Sequence, residues 1–168
     1  MEAAQLTASA IDGGWLEGGA GWRDQATGCW VAAATPASEP DLWDQYLHGA
    51  LRSYRRHGLE WVLNLDAVRD GADTTLFFAA VDPAGRVVGG TRVVGPLQAP
   101  EESHALEEWN GSPGRAVLSH MIANRLPFGV VEVKSAWTDS REYGSRALSR
   151  LLGMAQVIEV KGRDRRLP

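Results

Sequence analysis

Glu132 is the residue in this chain best placed to move a proton. It stands in the apolar run Gly129 to Trp137 (GVVEVKSAW), where burial would raise a carboxyl pKa toward neutrality and suit it to accept a proton from an ammonium nucleophile, directly or through water. The competing reading is a Glu132–Lys134 pair on a solvated face. Seven residues on, Asp139-Ser140-Arg141-Glu142-Tyr143-Gly144-Ser145-Arg146 opens an amphipathic segment. A strand that runs into a helix start offers free backbone N–H groups to an anion, and a glycine there allows close approach. Arg141 and Arg146 add charge at the same place, as a pyrophosphate would require.

Other polar residues are more ambiguous. Asp70 and Asp73 in Asp-Gly-Ala-Asp suit a cationic acceptor, or simply a charged loop before a strand. Arg92 follows Gly89-Gly90 and either holds an anionic group or faces outward from its strand. Tyr54 and Trp61 read first as core aromatics. His48, His57, His104 and His120 are dispersed without metal-ligand spacing, so no metal is expected. Ser119-His120 would diverge on a helix, and no Gly-x-Ser-x-Gly elbow or Walker loop is present.

The elements that must position these groups follow from periodicity. Cys29 to Thr35 is a short apolar strand. Ser38 reads as an N-cap with Pro40 in the first turn and Asp41 three residues on. Leu42, Trp43, Tyr46, Leu47, Ala50, Leu51 and Tyr54 then form one helical stripe that stops at Gly58. Thr74 to Val81 and Arg86 to Val94 flank the turn Asp82-Pro83-Ala84-Gly85, which predicts a hairpin. Gly89-Gly90 inside its second strand marks a bulge or a close approach by another backbone or a ligand.

Short helices are expected over Pro100 to Trp109 and Arg115 to Leu126, the second with Val117, Leu118, Met121 and Ile122 on one face. Strict alternation in the following strand puts Val131, Val133, Ser135 and Trp137 on one side and Val130, Glu132, Lys134 and Ala136 on the other. A last helix begins near Ser140. The fold class is therefore α/β of the α+β type, a mainly antiparallel mixed sheet of four or more strands flanked by helices.

This order of elements, with Arg141 and Gly144 ahead of the last helix, resembles the GNAT superfamily of N-acyltransferases. That family's loop is patterned Gln/Arg-x-x-Gly-x-Gly/Ala; here Arg146 takes the last position. The resemblance implies that Arg141, Gly144, Ser145 and Arg146 cradle the pyrophosphate of an acyl-coenzyme A. In motif order the chain is most similar to the acyl-homoserine-lactone synthase branch, through Tyr54-Arg55 with Trp61, Asp70-Gly71-Ala72-Asp73, Gly89-Gly90-Thr91-Arg92 and Glu132-Val133-Lys134-Ser135. That branch has Ser-Arg where this chain has Lys134-Ser135, so lactone formation is not implied. The likeness implies Glu132 as base or base relay, and Asp70, Asp73, Arg92 and Trp61 as acceptor contacts. It also implies an acyl-CoA or phosphopantetheine-linked acyl donor, which admits acyl carrier protein as a partner.

Composition sets the outer limits. The chain has 168 residues, a net charge of −4, and only Lys134 and Lys161 as lysines among 17 cations, so a nucleic-acid partner is not expected. It has neither a spanning apolar run nor a basic-then-apolar leader, which makes the cytoplasm the expected address without a membrane partner. A lone cysteine, Cys29, excludes an internal disulfide. Three segments are expected: a loose Gly- and Trp-containing arm over 1–27, one acyltransferase-like domain over 28–160, and a basic tail over 161–168. The acyltransferase scaffold looks short at its C-terminal side, which would leave the Glu132 strand an open edge suited to a homodimer. The expected activity is N-acyl transfer to a small-molecule amine; the alternative is a non-catalytic binding or assembly module on the same scaffold.

Overall fold

A computed structural model describes residues 20–139, 152 and 153 of the chain. The elements run β1 (Ala20–Arg23), β2 (Trp30–Ala34), α1 (Pro40–Arg56), α2 (Leu65–Val68), β3 (Leu76–Val81), β4 (Val87–Val94), α3 (His104–Glu108), α4 (Arg115–Ala123) and β5 (Glu132–Thr138). The five strands form one sheet in the order β1-β2-β3-β4-β5, each antiparallel to its neighbour. The α+β class read from the sequence is therefore present.

The central hairpin forms because Asp82 organises its own turn. The buried carboxylate accepts from the backbone N–H of Ala84 at 2.9 Å and of Arg86 at 2.8 Å, and pairs with the Arg86 guanidinium at 2.8 Å. Burial pushes the Asp82 carboxyl up, and these bonds more than offset it, holding it below the usual range. Gly85 supplies the left-handed residue at φ +80°.

The sheet separates two apolar layers. On one face α1 lays Leu42, Trp43, Tyr46, Leu47 and Ala50 against Phe77, Ala79, Val81, Val87 and Trp137. On the other, Cys29, Val31, Ala33, Leu76, Phe78, Ala80, Val88 and Val93 gather with Leu152. Residue 152 thus returns to the face opposite α1. Gly90 has a steric reason: a Cβ there would lie 2.5 Å from the Tyr46 ring and 2.6 Å from the Phe78 carbonyl oxygen. The close approach predicted at Gly89-Gly90 is made by a helix side chain.

Several expectations change. Within the expected arm 1–27, residues 20–23 form an edge strand, and Trp22 packs against the second layer. Helix α1 starts at Pro40, but Ser38 does not cap it. Its hydroxyl donates to the Thr35 carbonyl at 3.0 Å and accepts from the Thr35 N–H at 3.1 Å, a local turn that competes with capping. The segment 100–109 divides into a 3-10 turn, Pro100–Glu102, and α3, and Pro127 sits inside a further 3-10 turn, Leu126–Phe128. α4 buries Ile122 alone of its expected stripe, leaving Val117 and Met121 exposed. The helix expected from Ser140 lies outside the described residues.

The largest change is in β5. Arg92 pairs with Lys134 and Gly90 with Trp137, so two steps on β4 match three on β5, and Ser135 carries φ 53°. This is a bulge, and one extra residue reverses which way the remainder of a strand faces. Glu132 and Lys134 accordingly share the α1 side with Trp137, while Val133, opposite Val93, faces the other way. The alternation read from the sequence fails at Ser135.

Candidate functional site

The bulge frees carbonyl groups of β5 from the ladder, and side chains take them up. Tyr46 Oη donates to the Ser135 carbonyl at 2.9 Å, and Thr91 Oγ1 to that of Lys134 at 3.3 Å. Burial pushes the Tyr46 phenol strongly up, so it remains a proton donor to this carbonyl through any ordinary pH.

Arg92 is 5% exposed, which excludes an outward-facing strand arginine. Its guanidinium donates to Asp73 at 2.7 Å, to Thr74 Oγ1 at 3.0 Å and to Ser135 Oγ at 3.4 Å. Asp73 remains 45% exposed at its side chain. Desolvation raises its carboxyl, but the Arg92 bond and charge, the Thr74 hydroxyl and Lys134 outweigh that, and it stays ionised below the usual range. Asp70 caps the turn beside it, accepting from the Ala72 N–H at 3.0 Å.

Glu132 begins β5 and reaches away from the sheet. Its carboxylate accepts from Ser103 Oγ at 2.6 Å and from the N–H groups of His104 at 3.1 Å and Ala105 at 3.3 Å, with Lys134 Nζ at 3.4 Å. It therefore does the capping of α3 that Ser103, whose hydroxyl is turned toward it, does not. Burial raises the Glu132 carboxyl; the Ser103 hydroxyl, the two N–H groups and the Lys134 charge together overcome this and lower it. The raised pKa expected from an apolar strand is corrected for that reason. The pair with Lys134 is present, but both side chains are largely buried and the solvated face of the competing reading is not.

Four charges thus line the α1 side of the β4/β5 ends, with Asp73 and Glu132 flanking Arg92 and Lys134. Trp61 is not among them. It lies in the 3-10 turn Glu60–Val62 after α1 and is 78% exposed, so it is not core, whereas Tyr54 is partly buried against the first layer. Arg141, Gly144, Ser145 and Arg146 lie outside the described residues. Their segment begins just past Asp139, whose N–H donates to the Val88 carbonyl at 2.7 Å and whose carboxylate meets Arg56 at 3.4 Å. An open polar groove of about 480 Å³ adjoins it, lined in part by Asp44, His48, Arg52 and Arg86.

Sequence reasoning missed Ser103, Thr74 and the Tyr46 hydroxyl. Ser103 carried a signal, being a hydroxyl directly before a short helical run; Tyr46 carried none beyond its place in an apolar stripe. Among the described residues, His, Cys, Asp and Glu do not gather into a metal-binding set.

No family model and no solved structure match the chain. It is 52% identical over 132 residues, 79% of its length, to an uncharacterized protein of Mycobacterium bovis. Uncharacterized proteins of two Mycobacterium tuberculosis strains match to the same extent. The match covers 50% of each; the chain spans about half the length of these curated relatives.

Proposed function

We propose that the chain is an N-acyltransferase module of GNAT type that passes an acyl group from a pantetheine thioester to an amine. The observation that carries this reading is the bulge at Ser135, next to the Arg92–Asp73 pair. The bulge releases the Ser135 and Lys134 carbonyls to Tyr46 and Thr91 and leaves its extra residue unpaired in the ladder; a backbone N–H released there and set beside an acyl carbonyl would stabilise the oxyanion that forms on attack. Asp73 is ionised and half exposed, suited to hold the ammonium of an incoming amine. Arg92 fixes Asp73 in place.

In this reading the ammonium first gives one proton to solvent, the freed amine nitrogen bonds to the thioester carbon, the carbonyl oxygen takes the charge, and collapse expels the thiolate, which takes up through solvent the second proton that nitrogen sheds as the amide forms. Glu132 has its oxygens committed to α3 and Lys134, and enters as the group that orients Lys134 and the α3 segment. Arg141, Gly144, Ser145 and Arg146 are the phosphate cradle, for the diphosphate of an acyl-CoA or for the single phosphodiester of a carrier protein's phosphopantetheine.

The commitment of Glu132 to a helix end also favours the second reading, a binding module without turnover. Calorimetry with acetyl-coenzyme A and a thiol-release assay over a panel of amines separate the two. Binding with thiol release supports the transferase; binding without release over the whole panel supports the module; absence of heat at millimolar ligand rejects the coenzyme A donor.

A further inference from the structure

Among the described residues no helix is long and apolar enough to cross a membrane; α1, the longest of them, commits its apolar stripe to the sheet. Tyr46 stands within that stripe. Its ring centroid lies 5.2 Å from that of Trp43, 5.8 Å from Phe77 and 6.5 Å from Trp137, contacts that a phenylalanine would make equally well. The hydroxyl is what differs. It is carried past Gly90, where any Cβ would collide with the ring, to the Ser135 carbonyl on the next strand. One fitted contact thus joins α1, β4 and β5, with Tyr46 as donor, Gly90 as gap and Ser135 as acceptor.

That contact falls where the backbone is strained. Ser135 is the one non-glycine residue of positive φ among the described residues, and such a conformation persists only where its surroundings over-determine it. Three side chains do so here. Thr91 Oγ1 reaches the Lys134 carbonyl at 3.3 Å and Arg92 Nε reaches Ser135 Oγ at 3.4 Å, both long bonds. Tyr46 Oη makes the shortest of the three, at 2.9 Å, from a fully buried ring outside the β4/β5 pair. A peptide unit is planar, with its C=O and N–H pointing opposite ways. A phenol that holds the Ser135 carbonyl toward α1 therefore also fixes the direction of the Ala136 N–H, away from it.

We infer that Tyr46 is a positioning residue for acyl transfer: through the Ser135 carbonyl it locks the peptide unit from which β5 presents the Ala136 N–H to the acyl carbonyl. It touches neither donor nor acceptor. This inference rests on the acyl-transfer reading of the bulge given above. Without the hydroxyl, the Ser135 carbonyl loses its buried partner and the unit is free to turn, so the oxyanion donor is misaimed while the donor thioester still binds.

The test compares Tyr46→Phe with Trp43→Phe in the full chain. Trp43 Nε1 donates to the Arg69 carbonyl at 2.9 Å, so its replacement removes a bond of equal length from the same helix. Thiol release from acetyl-coenzyme A is followed with the best amine of the panel, alongside amide hydrogen exchange. Tyr46→Phe should lower kcat about tenfold or more and leave KM for acetyl-coenzyme A within about twofold. It should also speed exchange from Lys134 to Trp137 roughly fivefold relative to the β3 amides. Trp43→Phe should lower the melting temperature and keep kcat. Equal losses of kcat in the two variants, a parent-like kcat in Tyr46→Phe, or parent-like exchange across the bulge overturns the proposal. A parent that turns over no amine defeats the acyl-transfer reading and the positioning role with it, while exchange still reports whether Tyr46 locks the bulge.

Discussion

Asp73 illustrates how one exposed carboxylate serves a buried cation. Arg92 has little contact with water, so removing its counter-charge strands a guanidinium in the interior. Because Asp73 itself is half exposed, solvent screens part of the loss. Asp73→Asn is expected to lower stability by roughly 1–3 kcal/mol in urea denaturation, with a larger fall than Asp70→Asn, whose carboxylate serves only its own turn. Glu132 can be argued with its sign. Its folded pKa is depressed, so its contribution is complete above about pH 4.5, the ordinary glutamate value, and disappears as pH falls through the lower folded value. Glu132→Gln should reduce the melting temperature at pH 7 and make the decline on acidification shallower than in the parent. A parent-like acid limb in the variant would remove Glu132 from that account. At this scale the sequence identified Glu132, Arg92 and Asp73 by type and offered the Glu132–Lys134 pair, but not the bonds of Glu132 to Ser103 and of Arg92 to Thr74, which join distant segments.

Among elements, α1 and β5 meet at the tightest packing of the first layer. A Cβ on Gly49 would lie 2.1 Å from Trp137 Cζ2. Helix propensity favours Gly49→Ala by about 1 kcal/mol, whereas displacing a buried tryptophan costs about 1–3 kcal/mol or more. The clash prevails, so Gly49→Ala should destabilise. In a Trp137→Val background the sign should reverse, and a double-mutant cycle by chemical denaturation measures the coupling. An additive cycle would refute the contact. The hairpin was readable because Asp82, Pro83 and Gly85 state their turn chemistry locally. The facing of β5 was not, since Ser135 has no composition that announces a positive φ. α4 was misjudged for a related reason: a 3.6-residue period identifies an apolar stripe without saying whether anything covers it.

For the molecule as a whole, titrating groups at both ends of the scale bound its stability. Asp24, Asp73, Asp82 and Glu132 all have lowered carboxyls, so acid unfolding should set in below about pH 4.5. Tyr46 and Tyr54 have phenols raised by burial. Stability they supply is whole below pH 10 and falls as pH rises beyond it, when the unfolded chain ionises first. A melting-temperature profile with a plateau between these limits is expected, and Tyr46→Phe should delay its alkaline fall while losing the bond to Ser135. The sheet class was evident from the spacing of apolar runs, yet the division of the segment between β4 and β5 into a pinned lobe was not. That lobe depends on Glu132, which the sequence offers as a proton carrier or as a partner of Lys134, and not as the cap of a helix.

The extra residue at Ser135 makes β5 two half-strands joined out of phase. Upstream, Glu132 and Lys134 answer to the lobe; downstream, Trp137 answers to α1. Deleting Ser135 would force a choice, rotating one half to the opposite surface. Substitutions on either side of the joint can therefore accumulate separately, so the lobe can be remodelled for a new contact while the helix-bearing layer keeps its fit.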